Sequence, residues 1–100
     1  MRYEFDWDPV KAATNRVKHD VTFDEAMTVF ADPLALSIPD DDHSDVEDRW
    51  VTVGMSRSPR LLLVVHTHIE VTDDVVAIRI IMARKPTRTE VRQYENNPAT

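Results

Sequence analysis

The residues whose types and spacing best suit anion chemistry lie in "RIIMARKPTRTEVRQYE" (79–95). Arg84, Lys85 and Arg88 stand where an apolar strand pattern changes into a helical one. Free backbone N–H groups and the helix dipole attract phosphate at a helix N-terminus, and the planar fork of arginine matches phosphate oxygens. These cations therefore predict an anion site at that junction, and the alternative is a solvated loop.

Arg79 belongs to the same stretch but lies inside the predicted strand 75–83. Strict alternation along a strand places Arg79 on one face with Ala77 and Ile81, and it places Arg84 on the other. An arginine among apolar neighbours is costly unless it is paired or aimed at a ligand. Two roles for Arg79 stay open, an ion pair with a neighbouring acid and a contact with a ligand.

The histidines and acids offer weaker candidates for chemistry. His66 and His68 would share a strand face, but no third ligand has metal-site spacing, so we expect surface or hairpin-end histidines and no metal. His19 follows Lys18 at a predicted helix end, where it complements the helix dipole or transfers protons. The acidic run "PDDDHSDVED" (39–48), which includes His43, lacks calcium-loop spacing, so we expect a solvated loop.

Composition limits the classes of protein that remain. One hundred residues predict a single domain over 1–100, and the absence of cysteine excludes disulfides and thiolate metal sites. The formal net charge is −6, the sum of −9 over residues 1–48 and +3 over residues 49–100. One interpretation is a cationic surface for an anionic partner, and the alternative is that the two halves neutralise each other in the folded protein. With no membrane-length apolar run and no signal-peptide pattern, a cytoplasmic protein without membrane contact is expected.

The elements that must position these residues follow from periodicity and capping signals. Asp8-Pro9 marks a helix start, and Val10, Ala13 and Val17 recur at helical spacing, which extends the helix to about His19. Thr22 with Glu25, and Thr87 with Glu90, have the spacing of capping boxes. The predicted strands are 3–7, 34–38, 50–55, 61–66 and 75–83, and the predicted helices are 9–19, 23–30 and one after Thr87.

The order β-α-α-β-β-β-β-α predicts an α+β domain. Short polar linkers between the later strands favour antiparallel hairpins, so we expect a small antiparallel sheet with two N-terminal helices and one C-terminal helix. Strand 61–66 is almost entirely apolar, which is typical of a strand buried on both faces. The tail 96–100 is expected to be frayed.

Several stretches together resemble the BrnT toxins of bacterial type II toxin–antitoxin systems. The resemblance covers about nine-tenths of the chain and rests on W-D-x-x-K-x-x-x-N-x-x-K-H (7–19), "DDHSDVEDRWVTVGMS" (41–56), "RLLLVVHT" (60–67) and I-R-I-I-x-A-R (78–84). Family members usually carry glycine after Lys-His, where this chain has Asp20. The family-like positions are Lys11, Asn15, Lys18, His19, Glu47, Arg49, Arg79, Arg84, Thr87, Arg92 and Tyr94.

The resemblance implies a RelE-like fold and metal-independent RNA cleavage that needs no cofactor. It also implies neutralisation by a BrnA-type antitoxin. The toxin itself would contact operon DNA only indirectly, through that antitoxin. The charge-stabilising cations would be Arg84 and Arg49, with Arg79 third. The base and the acid would come from Glu47, His19 and Lys18 in an order that stays open, and Tyr94 would stack on a base or donate a proton. The catalytic candidates are Arg84, Arg49, Arg79, Glu47, His19, Lys18 and Tyr94, and the RNA-binding candidates are Lys85, Arg88, Arg92 and Lys11.

A second class of function uses the same residues without catalysis. A cationic face can receive an acidic or amphipathic segment of another protein, or it can bind RNA and leave it intact. Incubation of the protein with RNA in excess chelator separates these possibilities, because only a metal-independent nuclease yields fragments.

Overall fold

The computed structural model describes residues 1–40 and 48–97, and part of the predicted acidic loop (41–47) lies outside the described residues, as do residues 98–100 of the predicted tail. A 3₁₀ turn, Thr28–Ala31, follows the second helix. In chain order the elements are β1 (Arg2–Trp7), α1 (Pro9–His19), α2 (Phe23–Met27), β2 (Leu36–Pro39), β3 (Arg49–Met55), β4 (Leu61–Thr67), β5 (Ile69–Glu70), β6 (Val75–Arg84) and α3 (Arg88–Asn96).

The α+β class and the element order are confirmed, with β5 as an additional two-residue strand. Within the described residues the strands form one six-stranded sheet of order β1-β6-β4-β3-β2, in which β5 also pairs with β6. The expectation of a wholly antiparallel sheet is wrong at one edge, because β1 runs parallel to β6. No hairpin constrains the direction of β1, since its partner lies at the far end of the sequence.

Helix starts follow their capping signals more closely than helix ends do. The Asp8 side chain accepts a hydrogen bond from Val10 N at 2.8 Å, and α3 has the complete capping box of Thr87 and Glu90. At α2, Thr22 Oγ1 accepts from Glu25 N, but the Glu25 carboxylate binds Arg60 instead of closing the box. The predicted helix 23–30 ends at Met27 and continues as the 3₁₀ turn.

The sheet has two different faces. On the helix face, α1, α2 and the 3₁₀ turn cover a core that includes Val21, Phe23, Leu62 and Ile78. We call the opposite face the arginine face, since Arg49, Arg79 and Arg84 lie on it. Its smaller apolar cluster consists of Val53, Leu63 and Val65, with Val51, Ile81, Met82 and Tyr94 packed against it. Strand β4 is buried on both faces, as its apolar sequence predicted.

The apolar residues of α1 that recur at helical spacing face solvent. Val10 and Val17 are 73% and 89% exposed, and Ala13 is exposed as well. The side of α1 that packs inward carries Ala12 and Asn15 instead. A polar residue takes the buried position because it hydrogen-bonds the backbone of β6, as described below.

Candidate functional site

Strand β6 places two of the predicted site arginines on one face. The pairing of Val65 with Met82 and of His66 with Ile80 leaves Ile81 as an extra residue, so β6 contains a β-bulge there. The bulge reverses the alternation, and Arg84 therefore lies on the arginine face with Arg79. The prediction that the two side chains occupy opposite faces is wrong for this reason.

Arg79 is the more accessible of these two arginines. Its Nη1 lies 2.9 Å from Asp6 Oδ2 on the neighbouring strand β1, and the two side chains are 50% and 67% exposed. An exposed pair of this kind contributes only about 0–1 kcal/mol to stability. Asp6 therefore orients the guanidinium without holding it against a competing anion.

Arg49 and Arg79 flank Thr67 of β4. Arg49 pairs with Thr67 across the β3–β4 ladder, and Arg79 N donates to Thr67 Oγ1 at 3.2 Å. Thr67 and Arg79, but not Arg49, line a depression of about 420 Å³, which we call the Arg79 depression. Its lining consists of Asp6, Asp48, Thr67, Ile69, Ala77 and Arg79.

Arg84, in contrast, is held by the protein. Its Nη1 and Nη2 donate to the two oxygens of Glu90 at 2.9 and 3.1 Å, and Nη1 also donates to Lys85 O. Glu90 Oε1 accepts from Thr87 N at 2.7 Å as well. The hydrogen bond from Arg84 is the largest influence that lowers the pKa of Glu90. The position at the N-terminus of α3 that was predicted for a phosphate is therefore occupied by a carboxylate of the protein.

Helix α1 brings three predicted site residues to the bulge of β6. Lys11, Lys18 and His19 line a depression of about 220 Å³ whose opposite wall is Ile81 and Met82, and we call it the bulge depression. Ile81 and Met82 also belong to the apolar cluster of the arginine face. The bulge depression therefore opens at the edge of that face, between Arg79 and Arg84 along β6.

Asn15 holds α1 against β6. Strand β1 pairs with β6 only as far as Ile80, and none of the described strands pairs with the following part of that edge. Asn15 Oδ1 accepts from Ala83 N at 3.1 Å, and Nδ2 donates to Ala83 O at 2.9 Å and to Val21 O at 3.0 Å. The amide thus replaces a neighbouring strand and fixes the segment that carries the bulge.

Tyr94 connects α3 to the segment before β2. Its hydroxyl donates to Asp32 Oδ2 at 2.7 Å, and the same oxygen accepts from Met55 N at 2.8 Å. Burial, followed by the hydrogen bond to Asp32, raises the pKa of Tyr94 to about 12. This geometry gives the tyrosine a structural partner.

The other predicted site residues lie on the surface or outside the described residues. Lys85, Arg88 and Arg92 are exposed around the start of α3, and Glu47 lies in the segment 41–47, which is not described. Within residues 1–40 and 48–97, no group of three or more potential metal ligands comes together.

His66 was predicted to be a surface or hairpin-end residue, and this is wrong, because it is 1% exposed. Nδ1 lies 2.9 Å from the backbone oxygen of Thr67 and must donate, so Nε2 accepts from Thr52 Oγ1 at 2.7 Å, and Ser37 in turn donates to Thr52. Burial is the main cause that lowers the pKa of His66 to about 4. The feature of the sequence that could have indicated its burial is the position of His66 at the end of an otherwise apolar strand.

The described fold is that of a small α+β protein in which Arg49, Arg79 and Arg84 lie on one face of a mixed sheet. No helix among the described residues has the length and apolarity to cross a membrane. The model of a protein family described as the ribonuclease toxin, BrnT, of type II toxin–antitoxin systems matches residues 7–90, so the chain belongs to the BrnT family.

A solved structure has the same fold. The crystal structure of the Brucella abortus ribonuclease toxin BrnT superimposes with a TM-score of 0.62, covering 88% of this chain and 100% of that chain at 18% sequence identity. A comparison with curated protein sequences found no match.

Proposed function

We propose that this BrnT-family protein is a metal-independent endoribonuclease that stops translation by cleaving RNA in the cytoplasm. The observation that carries the proposal is the Arg79 depression. Its volume of about 420 Å³ falls within the roughly 300–1,000 Å³ of small-molecule sites. An accessible arginine at its edge gives the depression a partner for a phosphate group.

In the proposed reaction, the 2′-hydroxyl attacks the adjacent phosphorus while a base takes its proton. The bond from phosphorus to the 5′-oxygen breaks, and an acid protonates that oxygen. The products are a 2′,3′-cyclic phosphate and a 5′-hydroxyl. Charge builds up on the phosphoryl oxygens in the transition state, and fixed cations aimed at them supply much of the rate enhancement.

Arg79 and Arg49 are our choice for these cations. A phosphate displaces Asp6 from Arg79 at little cost, because both partners of that ion pair are exposed. Arg84, which the sequence placed first, now comes third, since binding a phosphate would require it to leave Glu90. We therefore assign to Arg84 mainly the placement of α3.

His19, Lys18 and Glu47 remain our candidates for the base and the acid. His19 and Lys18 line the bulge depression at the edge of the arginine face. Tyr94 is assigned to positioning α3, because a hydroxyl with a pKa of about 12 that already donates to Asp32 is a poor proton-transfer group near neutral pH. Lys11, Lys85, Arg88 and Arg92 would contact RNA phosphates outside the reaction centre.

Membership of a type II system implies a protein antitoxin, and we propose that it is of the BrnA type. Contact with operon DNA would then occur through the antitoxin alone. Co-expression of a neighbouring reading frame for a small DNA-binding protein should restore the growth of cells that produce this chain. Persistent growth arrest in the presence of that protein would contradict this part of the proposal.

The direct test of the nuclease is purified protein incubated with RNA in excess chelator. We expect fragments whose 3′ ends carry the mass of a cyclic phosphate, and we expect Arg79→Ala to slow their formation by about 10²–10³. Arg57→Ala is the matched control, because Arg57 is also exposed but follows the opposite end of β3 from Arg49. Fragments that form only after Mg²⁺ is added, or RNA that is bound but intact, would overturn the proposal.

A further inference from the structure

Helix α1 presents an apolar stripe to solvent. Val10, Ala13 and Val17 recur at the i, i+3, i+7 spacing of one helix face, and they point away from the sheet. The inward side of the helix is already occupied by Ala12 and Asn15. The stripe therefore has the pattern of a buried helix face without a partner among the described residues.

A depression lies on each side of this stripe. On one side is the bulge depression, where Lys11 and Lys18 face Ile81 and Met82. On the other side is a depression of about 210 Å³ lined by Trp7, Ala12, Ala13, Arg16, Thr22, Phe23 and Asp24. The stripe is thus a ridge between two grooves, and the side chains of a second helix can pack into such grooves.

The charged side chains of α1 itself have one sign. Helix α1 carries Lys11, Arg16 and Lys18 and contains no acid, in a chain whose net charge is −6. Asp8 and Asp20 lie at its two ends, as the N-cap and C-cap residues. Lys11 and Lys18 therefore line one flank of the exposed apolar ridge, and Arg16 lies on the other flank with Asp24 of α2 nearby, so the net charge beside the ridge is positive and complements a negatively charged partner.

We propose that the outer face of α1 is a docking surface for an acidic amphipathic helix of a partner protein. The apolar side of that helix would cover Val10, Ala13 and Val17, and its acids would meet Lys11, Arg16 and Lys18. A second copy of this chain fits less well, because two α1 helices would bring like charges together. RNA would pair with the cations but would leave the two valines uncovered by apolar groups.

The docked helix would also cover part of the bulge depression. Lys11 and Lys18 line that depression and flank the stripe at the same time. A partner on α1 would thereby limit access to one edge of the arginine face. The docking surface itself does not depend on RNA cleavage, because Val10, Ala13 and Val17 have no part in the proposed reaction.

The probe is a fluorescent helical peptide of about 20 residues, long enough to form some helix alone. It carries leucines at i, i+3, i+4 and i+7 and glutamates beside them, and a second peptide has lysine in place of every glutamate. Fluorescence anisotropy with the intact chain should show binding of the acidic peptide and none of the basic peptide. Equal binding of the two peptides, or no binding of either, would overturn the proposal.

Val17→Glu locates the binding surface. It places an acid in the centre of the stripe, and we expect the affinity for the acidic peptide to fall at least about tenfold. Val71→Glu is the matched control, since Val71 is also exposed, at 57%, but follows β5. Equal losses in the two variants would refute the assignment to α1.

Two further measurements complete the test. Circular dichroism should show both variants folded, because substitutions at exposed sites usually change stability by no more than about 0.5 kcal/mol. The sedimentation coefficient of the protein without peptide should be the same for the original chain and for Val17→Glu. A dimer that this substitution dissociates would assign the stripe to a second copy and overturn the proposal. Neither binding assay contains RNA, so their outcome and that of the cleavage assay are independent.

Discussion

Arg79 and Arg84 lie on the same strand and the same face, and the protein treats them differently. Arg84 and Glu90 are 30% and 23% exposed and share two hydrogen bonds, whereas Arg79 and Asp6 are 50% and 67% exposed and share one. The less exposed two-bond pair fixes the start of α3. The exposed single bond leaves Arg79 accessible to an outside anion. Partners and burial, more than residue type, separate a structural arginine from a candidate ligand-binding one.

Arg79 and Arg84 share one face because of the bulge in β6, and Asn15 holds the segment of β6 that contains the bulge. Asn15→Leu would leave Ala83 N, Ala83 O and Val21 O without their partners in the interior. We expect a loss of at least about 3 kcal/mol in the free energy of unfolding, measured by urea denaturation. The adjacent exposed Thr14→Ala is the control and should change stability little. A loss below about 1 kcal/mol for Asn15→Leu would show that Asn15 does not hold this edge.

Acid should destabilise the folded protein through the protonation of His66. This effect limits the pH range in which the arginine variants can be compared. The pKa of His66 is about 4 in the folded protein and about 6.5 in the unfolded chain. Above pH 6.5 both states are neutral, and below it the unfolded state binds the proton more strongly. Stability should therefore fall by about 3 kcal/mol as the pH drops from 6.5 to 4.

His66→Gln provides the check, because it removes the titrating ring. Urea denaturation across this range should show a much smaller slope for the variant than for the original chain. An unchanged slope between pH 6.5 and 4.5 would assign the acid sensitivity to other groups. Comparisons of the arginine variants belong above pH 6.5.

Breaking the Arg84 pair should cost about 2 kcal/mol, since Arg84→Ala leaves a partly buried carboxylate without its charged donor. Because the pKa of Glu90 is lowered in the folded protein, the pair stabilises fully above the unfolded pKa of about 4.5 and loses this effect as Glu90 protonates below it. The stability gap between the original chain and Glu90→Gln should therefore close in strong acid. A gap that persists there would show that the ion pair is not its source.

Removing the acid beside Arg79 should have the smallest effect. Asp6→Asn takes away a competitor for the guanidinium, so RNA should bind a few-fold more tightly, with a change in stability below about 1 kcal/mol. Glu4→Gln is the matched control, because Glu4 lies on the same strand and pairs with Arg2 at 3.6 Å. Weaker RNA binding by Asp6→Asn would mean that Asp6 prepares Arg79 for the ligand and does not compete for it.

Sequence predicted the local features well, because the signals for them are local. Asp8 with Pro9, and Thr87 with Glu90, marked the starts of α1 and α3. The apolar run of β4 marked the central strand. Asp20 adopts φ 56° at the end of α1, a left-handed conformation that glycine adopts freely, at the position where the family resemblance led us to expect glycine.

The features that the sequence did not predict depend on distant partners. Alternation counts residues and cannot show that Ile81 is an extra one, because the bulge exists only relative to β4. The stripe of Val10 and Val17 has a helical period, but the period does not say which side of α1 meets the sheet. Arg84 and Glu90 are only six residues apart, but the capping-box spacing does not show that the Glu90 carboxylate also reaches the end of β6.

The most direct test of the account compares RNA cleavage per folded molecule with the free energy of unfolding for Arg79→Ala and Arg84→Ala above pH 6.5. We expect Arg79→Ala to slow cleavage by about 10²–10³ and to change stability by less than about 1 kcal/mol. We expect the reverse for Arg84→Ala, with a clear loss of stability and cleavage reduced by less than about tenfold. Full cleavage by Arg79→Ala, together with an inactive but fully stable Arg84→Ala, would contradict it.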